Sequence, residues 1–319
     1  MTQSQGPAPL RVSIDALADV LPLSRDLGER FAEQGYELAL VGGSVRDAML
    51  GRLGNDLDFT TNARPEAVVK LLNKWAESTW DIGIRFGTVG ALKDGYQIEV
   101  TTYRAESYDA DSRKPVVEFG ETLAEDLVRR DFTINAMAVT LPDVEFVDLH
   151  GGVADLAAGL LRTPGRPEDS FDDDPLRMMR AARFASQLEM TVAEEAVAAM
   201  TAMADRLAIG DELSKLLLGE DPRRGLALLV DTGLTQYVLP ELPALKLEVD
   251  EHHHHKDVYE HSLTVLQQAI ELETSHEPMT NPDLVLRLAA LLHDIGKPKT
   301  RRFEDGGGVS FHHHEVVGA

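Results

Sequence analysis

Two carboxylates, Asp56 and Asp58, are set two residues apart in the apolar run DLDFTT at 56–61. Residues i and i+2 of a strand face the same way about 7 Å apart, so both acids project from one face. Like charges held that close are costly unless a cation lies between them. Magnesium, which takes oxygen ligands and keeps phosphate oxygens as further ones, suits such a pair. Upstream, Leu38, Leu40 and Val41 read as a buried strand that stops at Gly42-Gly43, and Ser44–Leu50 reads as a short helix with Ser44 as its N-cap. A Gly-Gly turn lets backbone come close to a phosphate, and a helix that starts there offers it unpaired N–H groups. Arg46 and Asp47 fall in that first turn. The chemistry implied is a triphosphate at Gly42-Gly43 with metal at Asp56 and Asp58. Each half is commonplace alone; in this order they are much more specific.

The stretch 38–61 resembles the signature of the class II tRNA nucleotidyltransferase and poly(A) polymerase family, within the polymerase-beta-like nucleotidyltransferases. Gly42, Gly43, Val45, Arg46, Asp47, Leu50, Gly51, Asp56, Asp58 and Thr61 carry the resemblance. It gives meaning to a further acid. In QIEVTTYR at 97–104, Glu99, Thr101 and Tyr103 share a strand face. By pattern alone Glu99 is an edge-strand glutamate; the resemblance implies a third carboxylate that completes a two-metal Mg²⁺ site. Such a site activates the attacking 3′-hydroxyl and stabilises the leaving pyrophosphate.

Two more segments resemble the same family. RRDFTINA at 129–136, read as part of a helix over 121–138, looks like its RRDxTxNA motif. Arg130 is then the triphosphate clamp, since a guanidinium matches phosphate oxygens with several donors. Asp131 and Asn135, four apart on one helical face, meet the sugar or brace the loop. DDDPLR at 172–177 opens a helix with Pro175 in its first turn and looks like the EDxxR nucleotide-selecting motif, with Asp173 where a glutamate is usual. The resemblance implies that Asp174 accepts from the amino group shared by cytosine and adenine while Arg177 donates to the adjacent ring atom. Uracil and guanine would leave that acid unpaired. Arg177, Arg180 and Arg183 recur every third residue, and an anionic ligand would relieve their repulsion.

The elements around these residues are short. Helical spacing over 14–34 is interrupted by Pro22, and Gly35 closes it; 64–75 is an amphipathic helix. Strands are expected at 79–82, 87–92 and 97–104, with a tight turn at Asp94-Gly95. A polar loop follows at 105–115. A Gly-Gly hinge at 151–152 suits a joint between domains, and 191–242 reads as helix throughout. Toward the C-terminus, His293-Asp294 ends an apolar helix and runs into HDIGK, which resembles the core of the HD phosphohydrolase domain. With His261 these residues offer three ligands for a divalent metal, and FHHHE at 311–315 falls near the next histidine of such a domain. The four histidines 252–255 are internal and are not read as a tag.

The chain is expected to be α+β. A disordered tail at 1–13 precedes a small mixed-sheet nucleotidyltransferase head at 14–147. An all-helical neck at 148–245 and a partial helical HD domain at 246–319 follow. The 319 residues carry no cysteine, which excludes disulfides and thiolate zinc sites and is compatible with a cytoplasmic location. No apolar run is long enough for a membrane span, and no secretory pattern opens the chain. A net charge of −23 argues against a generic nucleic-acid binder, DNA included, so an RNA-binding face must gather its basic residues locally. The resemblance implies CMP and AMP transfer from CTP and ATP to a tRNA 3′ end. A poly(A) polymerase, an HD phosphohydrolase and a nucleotide-binding regulator are the alternatives, in that order.

Overall fold

A computed structural model describes residues 17–80, 84, 87–104, 119–207, 211–246, 257–275, 282–304 and 309–318. The expected tail, the whole of the 105–115 loop, the 252–255 histidines and the end of the 79–82 strand lie outside these. The chain divides into two compact units, 1–166 and 167–319.

The first unit is built on a seven-stranded mixed sheet. In chain order its strands are β1 (Leu38–Val41), β2 (Asp56–Thr61), β3 (Ser78–Trp80), β4 (Thr88–Lys93), β5 (Tyr96–Thr102), β6 (Met137–Leu141) and β7 (Glu145–Asp148). Across the sheet they run β3-β4-β5-β2-β1-β6-β7. Every neighbouring pair is antiparallel except β2 and β5. Asp94 and Gly95 both take positive φ, as the two-residue turn between β4 and β5 requires. Alternation sorts the two faces. Leu38, Leu40, Leu57, Phe59, Ile98 and Val100 are fully buried on one of them. There α1 (Leu21–Ala32) packs so closely on β6 that a Cβ at Gly28 would stand 2.6 Å from that of Leu141. Pro22 does not interrupt this helix: it lies in its first turn, where a missing N–H costs nothing.

The other face carries Ala39 and Val41, which form an apolar cluster with Ala138 and with Leu127 of α4 (Leu123–Val128). A capping box, Thr122 with Glu125, starts α4. The helix expected over 121–138 is therefore short. After Val128 the chain bends, Phe132 is extended (φ −134°, ψ 150°), Thr133–Asn135 makes one 3₁₀ turn, and β6 begins at Met137. The β-branched and apolar residues that gave a helical reading are shared between a helix end and a buried central strand, which periodicity over so few residues does not separate.

The second unit is helical, with a few two-residue strands. Its principal helices are α6 (Pro167–Asp173), α7 (Leu176–Leu188), α8 (Glu194–Ala202), α9 (Glu212–Leu217), α10 (Pro222–Asp231), α13 (Val258–Ser275) and α14 (Leu284–Leu292). Labels α2, α3, α5, α11 and α12 belong to Gly43–Met49, Pro65–Leu72, Gly152–Ala158, Thr235–Val238 and Glu241–Ala244. The stretch 191–242 is not helical throughout, since it opens with the short strand Thr191–Val192. α7 packs against α9 and α10, and α14 against α13 and α9.

One buried ion pair ties these helices together. Arg287 Nη2 lies 2.8 Å from Glu273 Oε2, and Arg287 Nη1 donates to the carbonyls of Leu217 (2.7 Å) and Gly219 (2.9 Å). Arg287 thus closes orphan carbonyls at the end of α9 while neutralising a buried acid. Replacing it with methionine strands both the acid and the carbonyls, and we expect a loss of about 3–5 kcal/mol. Removing the exposed Arg223–Glu260 pair (Arg223→Ala) should cost under about 1 kcal/mol. Denaturant titration followed by circular dichroism of the helices checks this; equal, small losses for both variants would contradict it.

Candidate active site

The parallel pairing of β2 with β5 sets Asp58 directly beside Glu99 and Asp56 beside Gln97. Alternation then places Asp56, Asp58 and Glu99 on one face of the sheet, the face that α4 also covers. Burial, followed by the charges of Asp58 and Asp56, raises the Glu99 carboxyl above the usual carboxylate range. The three acids thus feel one another, and a divalent cation among them would relieve the repulsion. Gly90 pairs with Glu99, and the Trp80 indole lies over it so closely that any side chain at Gly90 would collide with the ring.

Beyond Val41 the chain turns at Gly42, whose φ of +69° is open to glycine but rarely to other residues. A Cβ there would come within 2.9 Å of Arg130 Nη1 and 3.8 Å of Asp58 Oδ2. The missing side chain leaves the space in which Arg130 and the carboxylate approach the turn. Gly42, not Ser44, is the N-cap of α2. Ser44 is buried in the first turn of α2, and its hydroxyl reaches β2 instead, accepting from Asp58 N–H (2.9 Å) and donating to Asp56 C=O (3.2 Å). A serine after a turn reads as a cap by default; what decides otherwise is the strand beside it, which the local sequence does not display.

Arg130 follows α4 and is held by Asp126, four residues earlier, at 2.9 Å. It keeps one guanidinium edge at the glycine turn. Arg46 is 8 % exposed and does not face outward. Its Nε and Nη2 bind both oxygens of Asp47, and its Nη1 donates to Asn135 Oδ1 at 2.6 Å. Asn135 in turn donates to Asp131 Oδ1 (3.0 Å), which also accepts from Phe132 N–H. Asp131 and Asn135 therefore meet across a 3₁₀ turn and not along a helical face. With Arg46 they brace the loop that follows Arg130. Thr133 and Asp155 extend the brace to α5, where Arg162 pairs with Asp155 at 2.9 Å.

In the second unit, Asp172 and Asp173 end α6, and α7 opens three residues on, at Leu176. Pro175 is the N-cap of α7, and Asp174 Oδ1 accepts from Leu176 N–H at 3.1 Å. Arg177 is anchored on the carbonyl and hydroxyl of Ser170. The three arginines of α7 are not mutually exposed repellers. Arg183 pairs with buried Glu212 of α9 at 2.5 Å, and both it and Arg180 lie over the Phe184 ring. Glu212 was not legible as a partner, since DELSKLL reads as an ordinary amphipathic helix.

A second cluster sits farther along the same unit. His261, His293 and Asp294 each offer a ligand atom, all within 4.8 Å of one another. Asp294 is 2 % exposed and gathers His293 (3.2 Å), His261 (3.7 Å), His314 (3.3 Å) and Lys297 (2.7 Å) about its carboxylate. His312 and His313 are exposed. No described helix is long and apolar enough to cross a membrane.

Three family models match along the chain: the poly A polymerase head domain at 38–162, the probable RNA and SrmB-binding site of polymerase A at 189–245, and the HD domain at 258–319. The CCA-adding enzyme of Levilactobacillus brevis is 42% identical over 246 residues, covering 75% of this chain and 60% of that protein. That of Lactiplantibacillus plantarum is 44% identical over 217 residues, covering 66% and 52%. The chain belongs to the CCA-adding tRNA nucleotidyltransferase and poly(A) polymerase family. Its α+β fold matches that of the Bacillus stearothermophilus CCA-adding enzyme in complex with CTP, with a TM-score of 0.62, 28% identity, and coverage of 86% of this chain and 78% of that one. The chain spans about half to 60% of the length of the curated relatives it matches. The family is metal-dependent, and the carboxylate face offers hard oxygen donors of the kind a divalent cation such as Mg²⁺ takes.

Proposed function

We propose that this chain adds CMP and AMP, from CTP and ATP, to the 3′ end of tRNA without a template, releasing pyrophosphate and using Mg²⁺. The observation that carries this reading is the meeting of Asp56, Asp58 and Glu99 on one sheet face, next to the Gly42 turn and Arg130. In the reaction the 3′-oxygen bonds to the α-phosphorus, the bond from that phosphorus to the bridging oxygen breaks, and pyrophosphate leaves. Bound Mg²⁺ supplies an activated 3′-hydroxyl and neutralises the leaving group. Asp56, Asp58 and Glu99 hold the metal, Arg130 holds triphosphate oxygens, and Gly42 leaves them room. Arg46, Asp131 and Asn135 keep that wall rigid, while Gly43 continues the turn into α2. Asp174, with Asp173 beside it, accepts from the amino group of cytosine or adenine, and Arg177 donates to the neighbouring ring atom. Asp174 accepts from Leu176 N–H and Arg177 donates to Ser170, which fixes both side chains. Arg183, paired with Glu212, ties α7 to α9, and Arg180 lies with it over Phe184 on the same helix. A cytoplasmic location fits a cysteine-free chain that acts on tRNA.

The test is incorporation of each labelled nucleotide onto tRNA lacking its last three residues. Wild type should add two CMP and then one AMP, and Asp56→Ala should lose about 10³-fold or more, as expected when metal-borne stabilisation is removed. Long AMP runs without CMP would favour a poly(A) polymerase. Incorporation by Asp56→Ala at the wild-type rate would overturn the site.

The His261, His293 and Asp294 cluster favours a second metal site, and with it phosphoester hydrolysis by the second unit. Two imidazoles and a carboxylate suit a transition-metal dication better than Mg²⁺. Metal analysis of the purified protein should find about one equivalent that is lost in Asp294→Asn. Equal metal content in the two proteins would remove this reading.

A further inference from the structure

We propose that Ser44 is a positioning residue for the Asp56 and Asp58 carboxylates, standing in for a strand neighbour that the glycine turn has taken away. The inference rests on the proposed metal site and adds to it the device that holds its main pair in place.

β1 pairs with β2 through Leu38↔Thr61, Ala39↔Thr60 and Leu40↔Phe59, and there the pairing stops. Beyond Val41 the chain leaves at Gly42 toward α2. On its other side β2 is fully laddered to β5. Asn55 C=O accepts from Gln97 N–H at 2.9 Å, and Thr61 C=O accepts from Tyr103 N–H at 2.7 Å. Because backbone groups alternate sides along a strand, the odd-numbered residues of β2 bond toward β5 and the even-numbered ones toward β1. Asp56 C=O and Asp58 N–H therefore point at the place β1 has vacated.

Ser44 Oγ fills that place. It accepts from Asp58 N–H at 2.9 Å and donates to Asp56 C=O at 3.2 Å, so one hydroxyl answers one donor and one acceptor. Ser44 is 3 % exposed, which leaves water little access to replace it. Without it the two residues whose side chains must meet the metal would sit on a strand end with unmatched backbone groups, next to like charges that push them apart. The same hydroxyl fixes the first turn of α2 to β2, so the glycine turn and the carboxylates move as one body.

Both tryptophans, Trp75 and Trp80, lie in the first unit, and Trp80 covers Gly90 beside Glu99. Terbium(III) luminescence sensitised by Trp80, displaced by Mg²⁺, therefore reads this site. Ser44→Ala should weaken Tb³⁺ and Mg²⁺ binding by about 10-fold or more, in the range seen when groups that orient metal ligands are lost. Ser44→Thr, which keeps the hydroxyl, should recover most of it. Raising Mg²⁺ should restore much of the incorporation rate of Ser44→Ala, which a general loss of folding would not allow. Tryptophan fluorescence on denaturation reports whether each variant is folded, and Ser44→Cys, with a weak sulfur donor, gives the same comparison if Ser44→Ala is not. Wild-type affinity in a folded variant lacking the hydroxyl would overturn the role of Ser44. Wild-type Tb³⁺ binding by Asp58→Asn would overturn the metal site itself, a failure distinct from the first.

Discussion

The constraint on which the first unit depends is the repulsion among three carboxylates held on adjacent strands. A parallel β2–β5 pair places Asp58 and Glu99 side by side, and the two-residue period adds Asp56. Burial, followed by the charges of Asp58 and Asp56, raises the Glu99 carboxyl, and the fold tolerates the cluster because the opposite face of the same strands is buried. Leu57, Phe59, Ile98 and Val100 anchor what Asp56, Asp58 and Glu99 would loosen. The crossover between β2 and β5, through α3, β3 and β4, is what brings residues some forty positions apart in sequence into register.

Around that face, polar networks set the positions of the site side chains. Asp126 holds Arg130, Asn135 and Asp47 hold Arg46, and Ser44 holds the strand end. In the second unit Ser170 holds Arg177 and Glu212 holds Arg183. Each is at least partly buried, so each partner lost would leave a donor or charge short of a bond. Functional side chains fixed in this way lose little freedom when a ligand arrives.

The identities at the site were legible where chemistry and spacing coincide. Asp56 and Asp58 two apart, and Gly42-Gly43 at a strand end, state their geometry in the sequence itself. Pairing was not legible. Nothing local to Ser44 says that its neighbour strand ends early, and nothing in RRDFTINAMA shows that a helix stops at Val128 and a central strand starts at Met137. The arginine spacing on α7 suggested a bare anion-binding face because Glu212, nearly thirty residues on from Arg183, lies beyond the reach of a local pattern. Likewise Pro22 reads as a break in the sequence yet opens α1, since proline suits the first turn of a helix as well as an interruption. Long-range register and buried partners are fixed by tertiary packing, and local periodicity carries no record of them.

The most direct measurement is anomalous diffraction from crystals of the protein soaked with Mn²⁺ and a non-hydrolysable CTP analogue. Manganese is read here as a stand-in for magnesium at oxygen ligands. Manganese peaks bridging Asp56, Asp58 and Glu99 to the triphosphate, with Arg130 on its oxygens, are what the carboxylate face requires. A triphosphate bound elsewhere, or metal absent from those three acids while nucleotide is present, would contradict it.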